Sequence, residues 1–582
     1  MLNVLVINGG RGAVQIIPKL IEKEDLLITS VVNAYDDGKS TGEIRNFFKM
    51  LGPSDIRKVQ ELMLPVKNSD YKSNLQLFRY RFPPNCNRND ALKSINKFVN
   101  NEKNFEDIDL NNYLLENRIR KFLKIFLDCL SSIENLNNKK FNFSDCSIMN
   151  CIYAGAFIYY KRDLERTTLS MGQLFNLRGL VLSTNNENKQ LVALRENGEM
   201  LYSEAEIVEL RSNVKIERIF LLDNPLNKNE FERLNIEGKR YYLDSHHCNV
   251  SISQSVIEAI NQSNIIIYAP GTQHSSLYPS YLSVGLAEKI SENKNALKVF
   301  ITNIGADYET PTYQASDYIL GAYKYLCLSD GRNYPIEDLF NINLINKSNL
   351  KQDDSYVRFD EENFNKIPIK IIRKNYEDLK SPGKHDGTKI VDQILKIYQN
   401  EIQKILYLSF FIFMNINEKK LLIFDYDGTI ADTNLLHEKA FSEVLAFKNI
   451  SFEYKNIAGL KTIDAINNLL LKNKIYLKSD KINKLVIKKQ KIFRDKIDKE
   501  IKPIEGVVDF LDWAKPKFNL FVASSGSKKN VYKGLKILGL LNYFQNIFCS
   551  EDVNLTKPSP EIFLKVLSIN QMKVEDALIF ED

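Results

Sequence analysis

Two aspartates, Asp425 and Asp427, follow the apolar run Leu421-Leu422-Ile423-Phe424, and the chain continues through Gly428-Thr429 to Asp432-Thr433. A short apolar run ending at an Asp-Gly turn predicts a buried parallel strand, whose carboxyl end is where open α/β sheets place their chemistry. The strand period of two aims both carboxylates the same way. One can then attack phosphorus while the other handles the leaving-group proton beside a bound magnesium ion. A turn that merely ends a strand is the plainer alternative, and three later features weigh against it. The strand pattern Asn519 to Ala523 ends at Ser524-Ser525-Gly526, where a hydroxyl can hold a phosphoryl oxygen. Lys557-Pro558 follows the strand-like Asn546 to Cys549 and brings a point charge that neutralises a phosphate and a nucleophilic carboxylate together. A further run, Ala577 to Phe580, ends in Glu581-Asp582, hard oxygen ligands of the kind magnesium prefers.

These residues resemble the haloacid-dehalogenase superfamily of phosphotransferases. Asp425 and Asp427 match its first motif, Ser524 its second, Lys557 its third, and Glu581 with Asp582 its fourth. The surroundings are most similar to the β-phosphoglucomutase and phosphoglycolate phosphatase branch. The resemblance implies magnesium held by Asp425, Asp427, Glu581 and Asp582, and catalysis by Asp425, Asp427, Ser524 and Lys557. It also implies a helical cap between the first two motifs, and the interval from Asp427 to Ser524 is long enough for one. Helical spacing places cap helices over Leu435 to Ala446, Thr462 to Leu471 and Asp480 to Asp495. Family members continue beyond the fourth motif, whereas this chain stops on it, so the expectation is a fragment of a longer chain, with a decaying phosphatase half as the alternative.

The N-terminal part carries a different set of signals. Leu2 to Ile7 reads as a strand, followed by the glycine loop Asn8-Gly9-Gly10-Arg11-Gly12 and the apolar-periodic Ala13 to Ile21, in which Pro18 threatens the helix. Glycines let backbone amides approach an anion, although such a turn serves tight helix packing equally well. A second strand, Leu26 to Val32, runs into Asn33-Ala34-Tyr35-Asp36-Asp37-Gly38, then Ser40 and Arg45, with Ser54-Asp55-Ile56-Arg57 further on. Paired aspartates beside hydroxyls and arginines can hold a metal-bound diphosphate, with carboxylates on the cation and guanidinium groups on phosphate oxygens. The strand Asn264 to Tyr268 gives way to Ala269-Pro270-Gly271-Thr272-Gln273-His274-Ser275-Ser276, a second anion cradle. His274 is expected to be a hydrogen-bonded loop residue. A fourth strand, Lys298 to Thr302, leads into Asn303, and together these strand ends describe one doubly wound sheet with its loops on one edge.

This half resembles the 2-phospho-L-lactate transferase (CofD-like) family, which also contains the gluconeogenesis-factor proteins. The resemblance rests on Gly9-Gly10-Arg11-Gly12, on Asn33 to Gly38, and on Pro53-Ser54-Asp55-Ile56-Arg57. Leu77 to Phe82, Asn150 within Ser147 to Ala156, and Ala269 to Thr272 follow in the family's order. Two positions depart from the pattern, Arg11 for a small residue and Ser54 for Gly. Transferase members use a magnesium-bound nucleoside diphosphate ester, pass a phosphorylated fragment to an acceptor hydroxyl and release a nucleoside monophosphate. The regulators bind a nucleotide sugar without turnover. The implied nucleotide and phosphate ligands are Gly9, Gly10, Gly12, Asn33, Asp36, Asp37, Gly38, Ser40, Arg45, Asp55, Arg57, Asn150, Gly271 and Thr272, with Asp36 and Asp37 on the metal.

The expected architecture is α/β: a Rossmann-like doubly wound parallel sheet over residues 1–330, a tail and linker over 331–417, and a haloacid-dehalogenase-like core over 418–582 with its cap at about 434–502. The apolar run Ile405 to Ile416 is shorter than the roughly 20 residues that span a bilayer, so it is expected to pack between domains. A net charge of +6 on 582 residues with dispersed lysines gives no support for nucleic-acid binding. Seven Cys without Cys-x-x-Cys spacing point to reduced thiols rather than a disulfide framework or a zinc site. The N-terminal apolar run reads as a strand and not as a signal peptide, so a cytoplasmic protein is expected, acting on phosphorylated or nucleotide-linked small molecules and not on membranes. A homo-oligomer stays open. The functional expectation is a CofD-like transferase fused to a magnesium-dependent phosphatase, with a nucleotide-sugar-binding regulator carrying an inactive or phosphomutase-type second half as the alternative.

Overall fold

The computed structural model describes residues 1–582 except 11, 103–107, 111, 348–354, 402–418, 447–449, 451, 453, 455–456, 458–461, 556 and 582. Two compact units emerge, Met1–Glu401 and Ile402–Asp582. The apolar run 405–416 and the metal ligand expected at Asp582 lie outside the described residues.

The first unit is built on a seven-stranded parallel sheet. In chain order its strands are β1 (Leu2–Asn8), β2 (Leu26–Val32), β3 (Leu180–Ser183), β7 (Ile265–Tyr268), β8 (Leu297–Ile301), β9 (Ile342–Asn346) and β10 (Lys370–Lys374), in the spatial order β10-β9-β8-β7-β1-β2-β3. Val4 to Asn8 and all of β7 are buried, as strands covered on both faces must be. The register pairs Asn8 with Val32 and Ile7 with Tyr268, so β1, β2 and β7 finish level with one another. The loops that start at Gly9, Asn33 and Ala269 therefore leave the same edge. Strand order reverses at β1, with β2 and β3 on one side and β7 to β10 on the other, which opens a crevice there.

Three strands of the first unit stand apart from that sheet. β4 (Gln190–Arg195), β5 (Met200–Leu201) and β6 (Ile216–Leu222) form an antiparallel sheet in the order β5-β4-β6, with a small core that includes Val192, Phe220, Phe231 and Leu243. The short helix Glu204–Glu209 between β5 and β6 turns back towards the crevice.

Local chemistry explains two departures from the sequence reading. The helix expected over Ala13 to Ile21 is split into a 3-10 turn, Gly12–Gln15, and a helix, Ile17–Ile21, because Pro18 lacks an N–H and fits only a first turn. Residues 331–417, expected to be tail and linker, contribute β9 and β10 to the sheet. Ile342, Leu344 and Ile345 of β9 are buried, whereas the Lys-rich β10 forms the sheet edge, where charge guards an open strand.

The second unit holds a four-stranded parallel sheet in the order β13-β12-β11-β14, made of β11 (Leu421–Phe424), β12 (Asn519–Ala523), β13 (Asn546–Phe548) and β14 (Ala577–Phe580). Phe424 pairs with Val522 on one side and Phe580 on the other, so three strand ends meet where Asp425, Ser524 and Glu581 begin their loops. Between β11 and β12 lie the helices Asn434–Leu445, Thr462–Lys472 and Ser479–Glu500, the last running past the expected end at Asp495. Phe441, Leu445, Ile466 and Leu469 form one core of this cap, and Leu436, Ala440, Phe493 and Ile497 another. Among the described residues no helix is long and apolar enough to cross a membrane.

Candidate functional site

The strand ends of the second unit bring its expected residues together. Lys557 Nζ lies 2.8 Å from Asp425 Oδ1 and 2.7 Å from Glu581 Oε1, so one ammonium bridges the ends of β11 and β14. Asp425 is 7% exposed, and burial pushes its carboxyl up to about 7 against the pull of Lys557. Asp427 accepts a 2.6 Å hydrogen bond from Thr433 Oγ1. Ser524, fully buried at the end of β12, accepts at Oγ from the N–H of Gly526 at 2.9 Å. A side chain built at Gly526 would start 3.1 Å from Ser524 Oγ and 3.5 Å from Asp427 Oδ2, which puts both groups beside one bare stretch of backbone. Two hydroxyls of the same loops, Thr429 Oγ1 and Ser525 Oγ, are buried without a hydrogen-bond partner in the structure. Unsatisfied hydroxyls next to a cationic Lys and a carboxylate pair suit an incoming phosphoryl group.

A second line of contacts reaches Asp427 from the cap, and the sequence reading missed it. His437, in the first turn of the helix Asn434–Leu445, places Nε2 3.4 Å from Asp427 Oδ1. Its Nδ1 lies 2.6 Å from Nζ of Lys489 on the helix Ser479–Glu500. Lys489 carries the protons for that bond, so Nδ1 accepts and the imidazole proton sits on Nε2, facing the carboxylate. The ring stacks on Phe493 with centroids 3.8 Å apart, and Lys489 also lies over Phe441 and Phe493. Burial raises the Asp427 carboxyl, but its bonds from His437 and Thr433 outweigh this and leave it below the usual range. Burial draws Lys489 down to about 7.

That shift has a testable consequence. An unfolded chain protonates Lys489 up to its ordinary value of 10.5, while the folded one gives up the proton at about 7. Between those values the unfolded state binds more protons, so this residue makes stability rise with pH. Lys489→Met removes the term: thermal melts should show the variant gaining most on the wild type at pH 7 and losing that advantage by about pH 10.5. A difference that stays level with pH would overturn the assignment.

In the first unit the loops from β1, β2 and β7 line a cleft of about 870 Å³ at the strand-order reversal. Of the nucleotide ligands expected from the sequence, Gly9, Gly12, Asp36, Gly38, Asp55, Arg57, Gly271 and Thr272 line it. Close approach explains the glycines: a Cβ on Gly12 would lie 1.8 Å from the Pro270 carbonyl oxygen, one on Gly9 2.3 Å from Ser276 Cβ, and one on Gly10 2.5 Å from Asp55 Oδ1. Asn303 clamps the β7 loop from beside it, accepting from the Gly271 N–H at 3.0 Å and donating to the Gly271 carbonyl at 2.9 Å. Arg57 donates to the Phe78 carbonyl at 2.8 Å and keeps Nε buried and unpartnered.

Other expected ligands are turned away from the cleft. Arg45 is buried, donating to the carbonyls of Tyr35 (2.6 Å) and Lys189 (2.8 Å) and to Asn188 Oδ1, so it braces the Asp36 loop rather than a phosphate. Asn33 donates to the Ser275 carbonyl at 3.0 Å and accepts from the Tyr35 N–H, tying the β2 and β7 loops together. Ser40 accepts from Asn150 Nδ2 at 3.1 Å, a buried pair beneath the loop. Each satisfies a buried backbone or side-chain group, and none of the four lines the cleft. His274 is buried with Nδ1 unpartnered, and burial holds its imidazole at about 3, hence neutral.

The carboxylates differ in how free they are. Asp37 accepts from the Ala205 N–H at 2.9 Å, while Asp36 accepts from the Gly38 N–H and lies 3.8 Å from Lys58 Nζ. Lys58 also pairs with Asp55 at 3.0 Å. Glu204, which no local sequence signal marks, enters from the antiparallel insertion and lies 3.4 Å from the Asp37 N–H. Burial and the charges of Asp36, Asp37 and Asp55 push it up to about 9. Oxygen donors of this kind, and those around Asp425, suit magnesium in type. Among the described residues no three carboxylate, imidazole or thiolate groups stand close enough to enclose a cation.

Comparison with known proteins agrees with both halves. Residues 4–377 match the family described as 2-phospho-L-lactate transferase CofD, and residues 422–582 match haloacid dehalogenase-like hydrolase. The gluconeogenesis factor of Listeria innocua is 25% identical over 404 residues, covering 68% of this chain and 96% of that protein. A crystal structure from Bacillus halodurans shares 21% identity over 68% of this chain and 99% of its own, with a TM-score of 0.47. The β-phosphoglucomutase of Clostridium difficile shares 23% identity over 28% of this chain and 76% of its own, with a TM-score of 0.26. The first match runs through the glycine loop, the Asp36 loop and all seven strands of the larger sheet. This chain therefore belongs to the 2-phospho-L-lactate transferase CofD family and carries a haloacid dehalogenase-like hydrolase domain after it.

Proposed function

We propose that the second unit hydrolyses a phosphomonoester through an aspartyl-phosphate, and that the first unit acts on a nucleoside-diphosphate-linked metabolite. The observation that carries the first part is Lys557 held between Asp425 and Glu581 with Asp427 alongside. A carboxylate oxygen of Asp425 attacks phosphorus as the ester P–O bond breaks, and Asp427, which takes up a proton when the negative charge of the bound phosphate reaches it, gives that proton to the departing alkoxide. Water then attacks the aspartyl-phosphate, Asp427 takes the proton, and inorganic phosphate leaves. Ser524 and Lys557 hold the phosphoryl oxygens throughout. Magnesium, if held by Asp425, Asp427 and Glu581, supplies charge neutralisation between the nucleophile and the phosphate.

In the first unit the β1, β2 and β7 loops, Arg57 and the Asp36–Asp55 carboxylates suit a diphosphate with its cation. The transferase reading has Asp36 and Asp55 holding that cation while a phosphorylated fragment passes to an acceptor hydroxyl. A second reading, binding without turnover, is favoured by Asp37, whose Oδ1 is taken by the Ala205 N–H. The two readings separate in one experiment: incubate the full chain carrying Asp425→Asn with magnesium and UDP-glucose or its GDP counterpart. Nucleoside monophosphate release in the presence of an acceptor alcohol supports the transferase, and saturable binding with no release supports the regulator. Absence of both would remove the nucleotide from this cleft.

A further inference from the structure

The cleft is larger than a diphosphate and its cation require, and one wall carries an aromatic ring that neither half of the proposed chemistry uses. Tyr308 lines the cleft and is 61% exposed, on a loop that is otherwise pinned into the core. Its neighbour Glu309 is buried and accepts from the N–H groups of His274 (2.9 Å) and Ser275 (3.0 Å) at Oε2, and from Ser275 Oγ at Oε1. On the other side Asp307 accepts from the Glu309 N–H at 3.0 Å and also lines the cleft. Tyr308 is therefore one residue from the group that fixes the hydroxyl cradle after β7, and it cannot drift from that cradle without breaking three hydrogen bonds. The Arg211 guanidinium lies 3.8 Å from the centre of its ring, which fixes the ring plane and enriches the stack with a cation. Val208, 40% exposed on the helix Glu204–Glu209, adds apolar surface to the same cleft.

A large exposed aromatic on a rigid loop, backed by a guanidinium and set beside an anion cradle, has the attributes of a stacking surface for a planar heteroaromatic group. We propose that Tyr308, backed by Arg211, is the platform on which the nucleobase of a nucleoside-diphosphate-linked ligand stacks while its phosphates rest on the glycine and Ser275 loops. This rests on the nucleotide reading of the cleft and specifies which residues grip the base. The phosphates then depend on the loops after β1 and β7 and the base on the 307–309 loop, so two parts of one ligand are read by separable residues.

The separation can be measured on the full chain carrying Asp425→Asn by calorimetric titration with magnesium-UDP and with magnesium-pyrophosphate. Tyr308→Ala should weaken UDP by about 5- to 150-fold, the range that loss of one base–aromatic stack gives, and leave pyrophosphate unchanged. Tyr308→Phe, which keeps the ring, should restore UDP affinity. Equal weakening of both ligands, or an unchanged UDP affinity in Tyr308→Ala while both ligands still bind, overturns the platform and leaves the cleft reading standing. If neither ligand binds the parent chain, the cleft reading fails and the platform fails with it.

Discussion

On the proposed phosphatase mechanism, replacing Asp425 by Asn should abolish magnesium-dependent phosphate release, lowering turnover on the order of 10⁴-fold or more, because Asp425 is the group assigned to form the covalent intermediate. The substitution is nearly isosteric, and it exchanges a buried carboxylate, already pushed up to about 7, for a neutral amide. Stability should hold or rise, since the cost of burying charge is relieved. Lys557 keeps its second partner, Glu581, at 2.7 Å, so the strand ends stay joined. Phosphate release assayed with magnesium, together with a thermal melt, separates the outcomes. Activity retained by a folded variant would show that Asp425 is not the nucleophile.

The other large effect is expected in the first unit. Gly12→Ala places a methyl group 1.8 Å from the Pro270 carbonyl oxygen, 2.9 Å from its carbon and 3.1 Å from Gly271 Cα. These are backbone atoms, and Asn303 grips Gly271 through both its N–H and its carbonyl, so the loop cannot move aside without losing those bonds. Overpacking of this kind costs about 1–3 kcal/mol. The displaced loop also carries the anion cradle, so nucleotide affinity should fall at least tenfold, a step of about 1.4 kcal/mol. Gly38→Ala is the matched control. Gly38 has an ordinary φ of −67° and its added Cβ would meet only Asp36 Oδ1 at 3.5 Å, so both stability and affinity should stay near wild type. Melting curves and titration with magnesium-UDP test the pair. If Gly12→Ala behaves like its control, close approach of the two loops is not what holds the cleft.

These two predictions draw on features of very different visibility in the sequence. Asp425 was legible because an apolar strand and its terminal carboxylates are contiguous, and a buried parallel strand announces itself by composition over four to seven residues. Gly12 was legible as a glycine, but its reason was not. Loop approach depends on the residue that arrives from β7, far along the chain. The helix split at Pro18 could be anticipated from the missing N–H, while the edge strand Lys370–Lys374 could not, since a charged edge has no apolar signature.

Side chains that serve the site from a distance show the limit most clearly. Lys489 sits in a helix with many lysines, and the sequence treats it like the rest; only the packing of the cap turns it inward, to 2% exposure beside His437. Glu204 and Glu309 come from the antiparallel insertion and the loop after β8, with no local pattern to mark them. Conversely, Arg45, Asn33, Ser40 and Asn150 have the right chemistry for phosphate and spend it on buried carbonyls, amides and one another.

The sequence by itself determined the two α/β halves and the strands that end in carboxylates or glycines. Those follow from hydrophobic periodicity and from residues adjacent in the chain. Which polar groups face a ligand, which are consumed in holding loops, and which arrive from an insertion or a cap was decided only by tertiary structure. The reason is that hydrogen-bond capacity is finite and directional: a side chain's role is settled by whichever partner the packed chain brings within about 3 Å of it.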